Sequence, residues 1–463
     1  MVKLNRYNSN ILLDMEVSIS MEKKVFTSLD IGTTSIKVVV SELDNNKLKV
    51  IGVGNAESKG LKRGMIVDID ATVQAIQKAV SKASEKTGVM INNLIVGVPS
   101  NGVSIEPCHG VITVSDRSSE ITTEDVNNVV NQSIANIVPP ERDLLSVTLE
   151  EFIVDGFDEI DDPRSMVGQR LEMYGTAISV PKTILHNIKR CVEKAGFNIA
   201  GLVLQPEALA KVALTQDERN FGTVLIDIGG GQTTVSAIHD DQVKFVSVVQ
   251  EGGNFITKDI SIVLNTSIQN AEQLKREVGA IQGDSKASIE VDVVGQDTPA
   301  SIKESYIGEI IEARIAQFFD KIKADIDPIN ALQLPGGVVI SGGTASIPGV
   351  TELAEEIFDV RTEKYIPDYM GIRTSAYSVA IGLALYEAQT SDIQREINKS
   401  ILRQAGIHPV EVENQHQELQ ETQQVTNYQT DDNDYEYNDH TQESTSANQI
   451  GDKIKSFFTN FFE

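Results

Sequence analysis

The feature that most constrains this chain is a hairpin pattern that occurs twice. Residues 223–234 read as a short apolar run from Val224 to Ile226, then Asp227, three glycines (Gly229, Gly230, Gly231), Gln232, Thr233 and Thr234. Apolar residues resume at Val235, so the stretch predicts a β-hairpin with a glycine-rich turn. Residues 26–40 repeat the pattern: a strand, Asp30, Ile31, Gly32, the hydroxyls of Thr33 and Thr34, and a second strand carrying Lys37. An internal repeat predicts two similar half-folds. Glycine lets backbone N–H groups approach a bulky anion, and successive turn N–H groups form a concavity suited to phosphate. Asp30 and Asp227 stand where carboxylates can hold Mg²⁺ through its retained water. No Lys-Ser/Thr follows the glycines and no helix opens after them, which sets the stretch apart from P-loops and dinucleotide fingerprints. Singly, each turn can also be an ordinary glycine-rich hairpin. Two turns facing one another would clamp a phosphate chain from both sides.

A third glycine element lies at residues 338–350, where a strand runs into Gly342, Gly343 and Thr344 and a helix is expected after Pro348. In this order the three elements resemble the phosphate-1, phosphate-2 and adenosine motifs of the actin/Hsp70/sugar-kinase ATPase superfamily. The resemblance implies ATP with Mg²⁺ as the ligand. Gln205 before Pro206 matches that superfamily's water-orienting position, and a plain helix start is the other reading. An amide cannot take up a proton as a carboxylate does, so at most slow hydrolysis is expected. Gly252 and Gly253 match a sharp strand-to-helix turn. Glu272 and Lys275, three apart, share one helix face. In the superfamily such a pair reaches ribose and adenine; otherwise it is a solvated ion pair.

The run Asp161-Asp162-Pro163-Arg164-Ser165-Met166-Val167-Gly168-Gln169-Arg170-Leu171-Glu172 suggests by itself only a turn at Pro163 and a polar loop entering a strand. It is very similar to the inserted subdomain, called 1C, of the FtsA family of bacterial cell-division proteins. The fold class implied is α/β: an actin-like two-lobed ATPase fold with an FtsA-type 1C subdomain inserted in the first lobe, plus a disordered tail. The implied layout is a disordered extension at 1–20, subdomain 1A at 21–100, 181–216 and 374–396, 1C at 101–180, 2A at 217–252 and 332–373, and 2B at 253–331. An acidic linker (397–445) and a terminal helix (446–463) follow.

Local patterns place a strand at 47–52, a helix at 70–87, and a strand at 94–98. Within the insert they place strands at 110–114, 145–154 and 175–179 and a helix opening near Thr122. A helix at 182–195, strands within 287–294, and a last core helix from 371 to about 390 complete the reading. The net charge of −27 argues against direct nucleic-acid binding. Cys108 and Cys191 offer no disulfide framework. No run of about 18 apolar residues is present to span a membrane.

After Arg403 no Lys or Arg occurs until Lys453, a composition that cannot bury enough apolar surface to fold alone. The chain then closes with Ile450, Ile454, Phe457, Phe458, Phe461 and Phe462 at helical spacing. About 14 helical residues reach roughly 21 Å, too short to span a bilayer. The natural use is to lie in the membrane interface with Lys453 and Lys455 near lipid phosphates, and a rival use is docking in a protein groove.

The FtsA resemblance then implies the function. An ATP-binding protein assembles into actin-like filaments and anchors filaments of FtsZ, the tubulin-like division polymer, on the cytoplasmic side of the cell membrane at the septum. It holds the FtsZ tail peptide through residues about 253–331 and recruits later division proteins through 1C. The alternatives are another actin-like assembly protein, of pilus machinery or cell shape, and a metabolite kinase of the same superfamily. The kinase would need a sugar-pocket motif that the sequence does not show.

Overall fold

The computed structural model describes residues 24–45, 47–114, 120–135, 137–281 and 287–410. The extension at 1–20, most of the linker and the terminal helix with Ile450 to Phe462 lie outside these residues.

The first lobe opens with β1 (Lys24–Ile31), β2 (Ser35–Asp44), β3 (Lys47–Glu57), the small hairpin β4 (Leu61–Lys62) and β5 (Met65–Ile66), helix α1 (Ile69–Thr87) and β6 (Asn93–Val98). Along α1 the apolar residues at helical spacing, Val73, Ile76, Ala79, Val80 and Ala83, are buried. Asp68 accepts the Ala71 N–H at its start, and Gly88, at φ 69°, closes it.

The insert follows: β7 (Ser104–Thr113), α2 (Thr123–Ile134), β8 (Arg142–Val154), β9 (Phe157–Ile160) and β10 (Arg170–Pro181). Its sheet runs β7-β10-β8-β9. Thr122 and Asp125 form a reciprocal capping box at the start of α2. The chain returns to the first lobe with α3 (Lys182–Lys194), β11 (Asn198–Leu204) and α4 (Gln205–Ala213).

The second lobe comprises α5 (Gln216–Phe221), β12 (Thr223–Ile228), β13 (Thr233–His239), β14 (Gln242–Val249), α6 (Gly253–Val263), α7 (Ile268–Glu277), β15 (Ser288–Val291), β16 (Ala300–Lys303), α8 (Glu304–Ile326), β17 (Val338–Ser341), α9 (Val350–Phe358) and β18 (Thr362–Lys364). Helices α10 (Ser378–Gln389) and α11 (Asp392–Gln404) end the described chain.

The sequence repeat is a repeat of topology. The two main sheets run β11-β6-β1-β2-β3 and β14-β13-β12-β17-β18. In each, the strand carrying the aspartate is central, antiparallel to its hairpin partner and parallel to a later strand. One shared core joins the two sheets, with Val39 and Ile95 from the first, Leu225 and Val339 from the second, and Leu209 of α4 and Leu383 of α10. Gly382 lets α10 approach α4, because a Cβ there would stand 2.1 Å from the Ala208 carbonyl.

Several expectations are corrected. The strand expected at 47–52 continues to Glu57, and the strands expected within 287–294 are a hairpin of β15 with the later β16. The last core helix begins at Ser378 rather than 371, since Gly371 is left-handed at φ 81° and the Thr374 hydroxyl holds the Ala376 N–H in a 3-10 turn. The linker does not begin at 397, because α11 runs to Gln404. Ser391 caps α11, and its stripe Ile393, Ile397 and Ile401 packs into the core of the insert with Val129 and Phe152. Gln394 bonds both the Val147 carbonyl and the Leu149 N–H of β8, at 2.7 and 3.1 Å.

Candidate nucleotide-binding cleft

The β1–β2 and β12–β13 turns meet at the mouth of a cleft of about 1290 Å³. Their tips touch. A Cβ added to Gly230 would lie 1.8 Å from the Thr34 hydroxyl, and one on Gly231 would lie 2.5 Å from the Thr33 methyl. The glycine turn is therefore a packing requirement as well as a source of N–H groups.

Cross-strand register sets the charges. Lys37 is the partner of Asp30 across the first hairpin, and its ammonium lies 3.0 Å from the Asp30 carboxylate. Gln205, the first residue of α4, donates its amide to the other Asp30 oxygen at 3.0 Å. Burial works against the Lys37 charge, but Asp30 and then Asp227 outweigh it and the Lys37 pKa rises. In the second hairpin the cross-strand partner of Asp227 is Thr234. Without a cation opposite it, Asp227 is pushed up to about 6, first by burial and then by the charge of Asp30.

Across the cleft, Lys275 pairs with Glu272 at 2.6 Å and also donates to the Gly253 carbonyl at 3.1 Å and the Thr257 hydroxyl at 2.8 Å. Glu272 also takes Arg276 at 2.7 Å. Burial alone would raise the Glu272 pKa, but the bonds from Lys275 and Thr257 lower it. Burial lowers that of Lys275. The pair is thus built into the wall rather than solvated.

The third glycine element closes the floor. Gly342 has φ 97°, and a Cβ there would stand 2.5 Å from the Ile228 carbonyl and 2.6 Å from an Asp227 carboxylate oxygen. Thr344 donates to the Gly229 carbonyl at 3.2 Å.

Most of the residues singled out in the sequence come together here. Asp30, Gly32, Thr33, Thr34, Lys37, Gln205, Asp227, Gly229, Gly230, Gly231, Gln232, Gly253, Glu272, Lys275, Gly342, Gly343 and Thr344 all line the cleft. Two do not. The buried Thr233 hydroxyl holds the Glu251 carbonyl at 2.9 Å, and Gly252 packs on the Gly229 and Gly230 backbone, where a Cβ would come within 2.4 Å. Both support the wall from behind.

Sequence reading missed Asn254 and Thr257 of α6, Arg276 of α7, Gly64 and Ser375. Arg276 was readable as the residue after the Glu-x-x-Lys pair. Gly64 carries no local signal, since its place in the cleft is made by tertiary contact.

The donor set fits Mg²⁺ with a nucleoside triphosphate. Two carboxylates face a turn rich in N–H groups, and the Gln232 side-chain oxygen is buried without a hydrogen-bond partner. Mg²⁺ takes one or two protein carboxylates and completes its shell with phosphate and water.

A family model described as "Cell division protein FtsA" matches residues 224–382, and another, "SHS2 domain inserted in FTSA", matches residues 101–179. The cell division protein FtsA of Enterococcus faecalis is 47% identical over 442 residues, covering 95% of this chain and 99% of its own. That of Enterococcus hirae is 46% identical over 446 residues, with the same coverage of 95% and 99%. Among solved structures, a chain of the PilM–PilN type IV pilus biogenesis complex superposes with a TM-score of 0.54 at 16% identity, covering 79% of this chain and 99% of that one. That likeness speaks to the actin-like fold alone. With near-complete coverage at almost half identity, this chain belongs to the FtsA family of cell-division proteins.

Proposed function

We propose that this FtsA-family protein binds Mg²⁺·ATP in the cleft, assembles in actin-like fashion, and tethers FtsZ filaments to the cytoplasmic face of the cell membrane at the division septum. The observation that carries the reading is the meeting of two aspartate–glycine hairpins over one cleft, in a chain whose family is that of division proteins. Asp30 and Asp227 would hold Mg²⁺ through water, and bound Mg²⁺ would neutralise phosphate charge. Lys37, Thr33, Thr34 and the turn at Gly229 to Gly231 would bind the phosphates. Glu272, Lys275 and the Gly342 to Thr344 turn would hold the nucleoside. Gln205, fixed by Asp30, can orient a water but cannot act as a strong base. The cleft is thus better suited to switching with at most slow hydrolysis.

The FtsZ tail is assigned to the region 253–331. There a groove of about 490 Å³ is lined by Ile262, Val263, Tyr306, Ile310 and Arg314. Ile262 is 65% exposed, and exposed apolar surface of this kind suits anchor residues of a peptide. The insert, at 101–180, is the proposed surface for later division proteins.

Residues Ile450 to Phe462 are the proposed membrane anchor. Six apolar side chains at about 1.5–3 kcal/mol each are set against ordering some 14 residues at about 1–2 kcal/mol apiece. One tail therefore binds weakly, and polymerisation strengthens it by avidity. A strictly monomeric variant that pelleted with vesicles as well as wild type would contradict this coupling.

The test of the function is vesicle co-sedimentation of FtsZ with ATP, using the full chain and a version ending at Ser444. FtsZ pelleting only with the full chain supports the tether. If the protein binds vesicles but leaves FtsZ in solution, the partner assignment fails. If the full chain itself stays in solution, the anchor assignment fails.

A further inference from the structure

The β4–β5 hairpin stands apart from both main sheets. Its strands are two residues each and, among the described residues, pair only with one another. So small a hairpin has little stability of its own, and its position depends on what it touches. Its turn is Arg63 at φ 52° and Gly64 at φ 75°, a two-residue turn with both positions left-handed. Arginine is costly there, and a strained residue of this kind invites a functional explanation.

The Arg63 carbonyl accepts from the Asn101 side chain at 3.3 Å, and the tip makes three further contacts. The Gly64 N–H donates to the Thr33 hydroxyl at 2.8 Å, which leaves the hydroxyl proton of Thr33 for an anion in the cleft. A Cβ on Gly64 would lie 2.0 Å from the Gln232 side-chain oxygen, so the same residue packs on the second glycine hairpin. The Arg63 guanidinium lies 5.9 Å from the centroid of the Phe255 ring, which belongs to α6 of the second lobe. One turn of the first lobe therefore contacts both phosphate hairpins and the helix that opens behind the second.

Phe255 in turn meets Arg314 of α8, at 6.0 Å from its ring centroid. Arg314 bonds Asp259 of α6 at 2.8 Å, and Arg314, Asp259, Ile262 and Val263 line the exposed groove of the second lobe. A continuous set of contacts thus runs from the phosphate hairpins to that groove. The hairpin tips touch through Thr34 and Gly230, and Gly64 contacts both hairpins, so phosphates bound against them bear on Gly64.

We propose that the Arg63–Gly64 tip is a strap that reports nucleotide in the cleft to the α6–α8 surface through Phe255. This rests on the reading of the cleft as an ATP site. It makes ATP and a partner on the groove affect each other's affinity, since coupling between two sites is reciprocal.

The test is hydrogen–deuterium exchange of the full chain with and without Mg²⁺·ATP, for wild type, Arg63→Ala and Phe255→Leu, beside direct binding of a fluorescent ATP analogue. In wild type, ATP slows exchange along α8, none of whose residues lines the cleft, by about two- to fivefold, the size set by a cation over a ring at an exposed site. Both variants bind the analogue within about threefold of wild type and lose most of that slowing. Unchanged slowing in both variants, or ATP binding to wild type without any slowing in α8, overturns the strap. If wild type does not bind the analogue at all, the ATP reading has failed and the strap falls with it.

Discussion

The two aspartate hairpins share a backbone plan and differ in what stands opposite the carboxylate. Asp30 faces Lys37 and is bonded from the other side by Gln205. Asp227 faces Thr234 and is pushed up to about 6. A repeat in topology therefore does not make a repeat in electrostatics. The first hairpin carries its counterion in register, whereas for Asp227 the Lys37 charge does not offset burial and Asp30, a balance that a metal ion would change.

The largest expected effect follows from that contrast. Asp30→Asn leaves the mostly buried Lys37 ammonium without its counterion and costs about 3 kcal/mol in chemical denaturation. Asp227→Asn removes a charge that burial penalises, so its stability at pH 8 equals or exceeds wild type. Similar losses from the two substitutions would break the comparison.

The second effect is in pH. In the proposed site Mg²⁺ would be held by the Asp227 carboxylate, which burial and Asp30 push up to about 6. On that reading affinity for Mg²⁺·ATP is flat above pH 7 and falls roughly tenfold per unit as pH drops below about 6. Titration calorimetry between pH 5 and 8 checks it, and Asp227→Asn flattens the profile.

A smaller effect comes from the contact between the tips. Gly230→Ala forces the Thr34 hydroxyl aside and costs about 1–2 kcal/mol. Adding Thr34→Ala recovers most of it, as a double-mutant cycle measured by denaturation will show.

The smallest lies just behind the cleft. Glu207, two residues after Gln205 on α4, accepts from Thr148 of the insert at 3.4 Å. Burial raises its pKa from 4.5 to about 7. A raised carboxyl favours the folded state in acid, and that contribution is lost as pH rises through 7. Glu207→Gln keeps the shape, so it melts about 2 °C higher than wild type at pH 8 and within error of it at pH 5.

Much of the cleft was legible because each hairpin is local. In each hairpin the apolar run, the aspartate and the glycines lie within about a dozen residues of one another, and Gly342 sits at a left-handed turn that glycine alone fills easily. Thr233 and Gly252 stand behind the lining because a motif gives residue order, while which atoms face the cleft depends on pleat and packing. Helix α8 carried a readable stripe, Ile307, Ile311, Ile315, Phe318, Ile322 and Ile326, all buried. Strand β9 and helix α5, at four and six residues, are too short for periodicity to declare. Residues 397–404 read as linker by their polar face, whereas Ile397 and Ile401 were the buried side of a helix that the insert completes.

The most direct measurement is calorimetric titration of Mg²⁺·ATP into wild type, Asp30→Asn and Asp227→Asn at pH 8. The account predicts one site per chain in wild type and affinity at least tenfold weaker in both variants, with Asp227→Asn fully folded. Unchanged ATP affinity in a folded Asp227→Asn protein would contradict it, because the paired hairpins would then not be the nucleotide site.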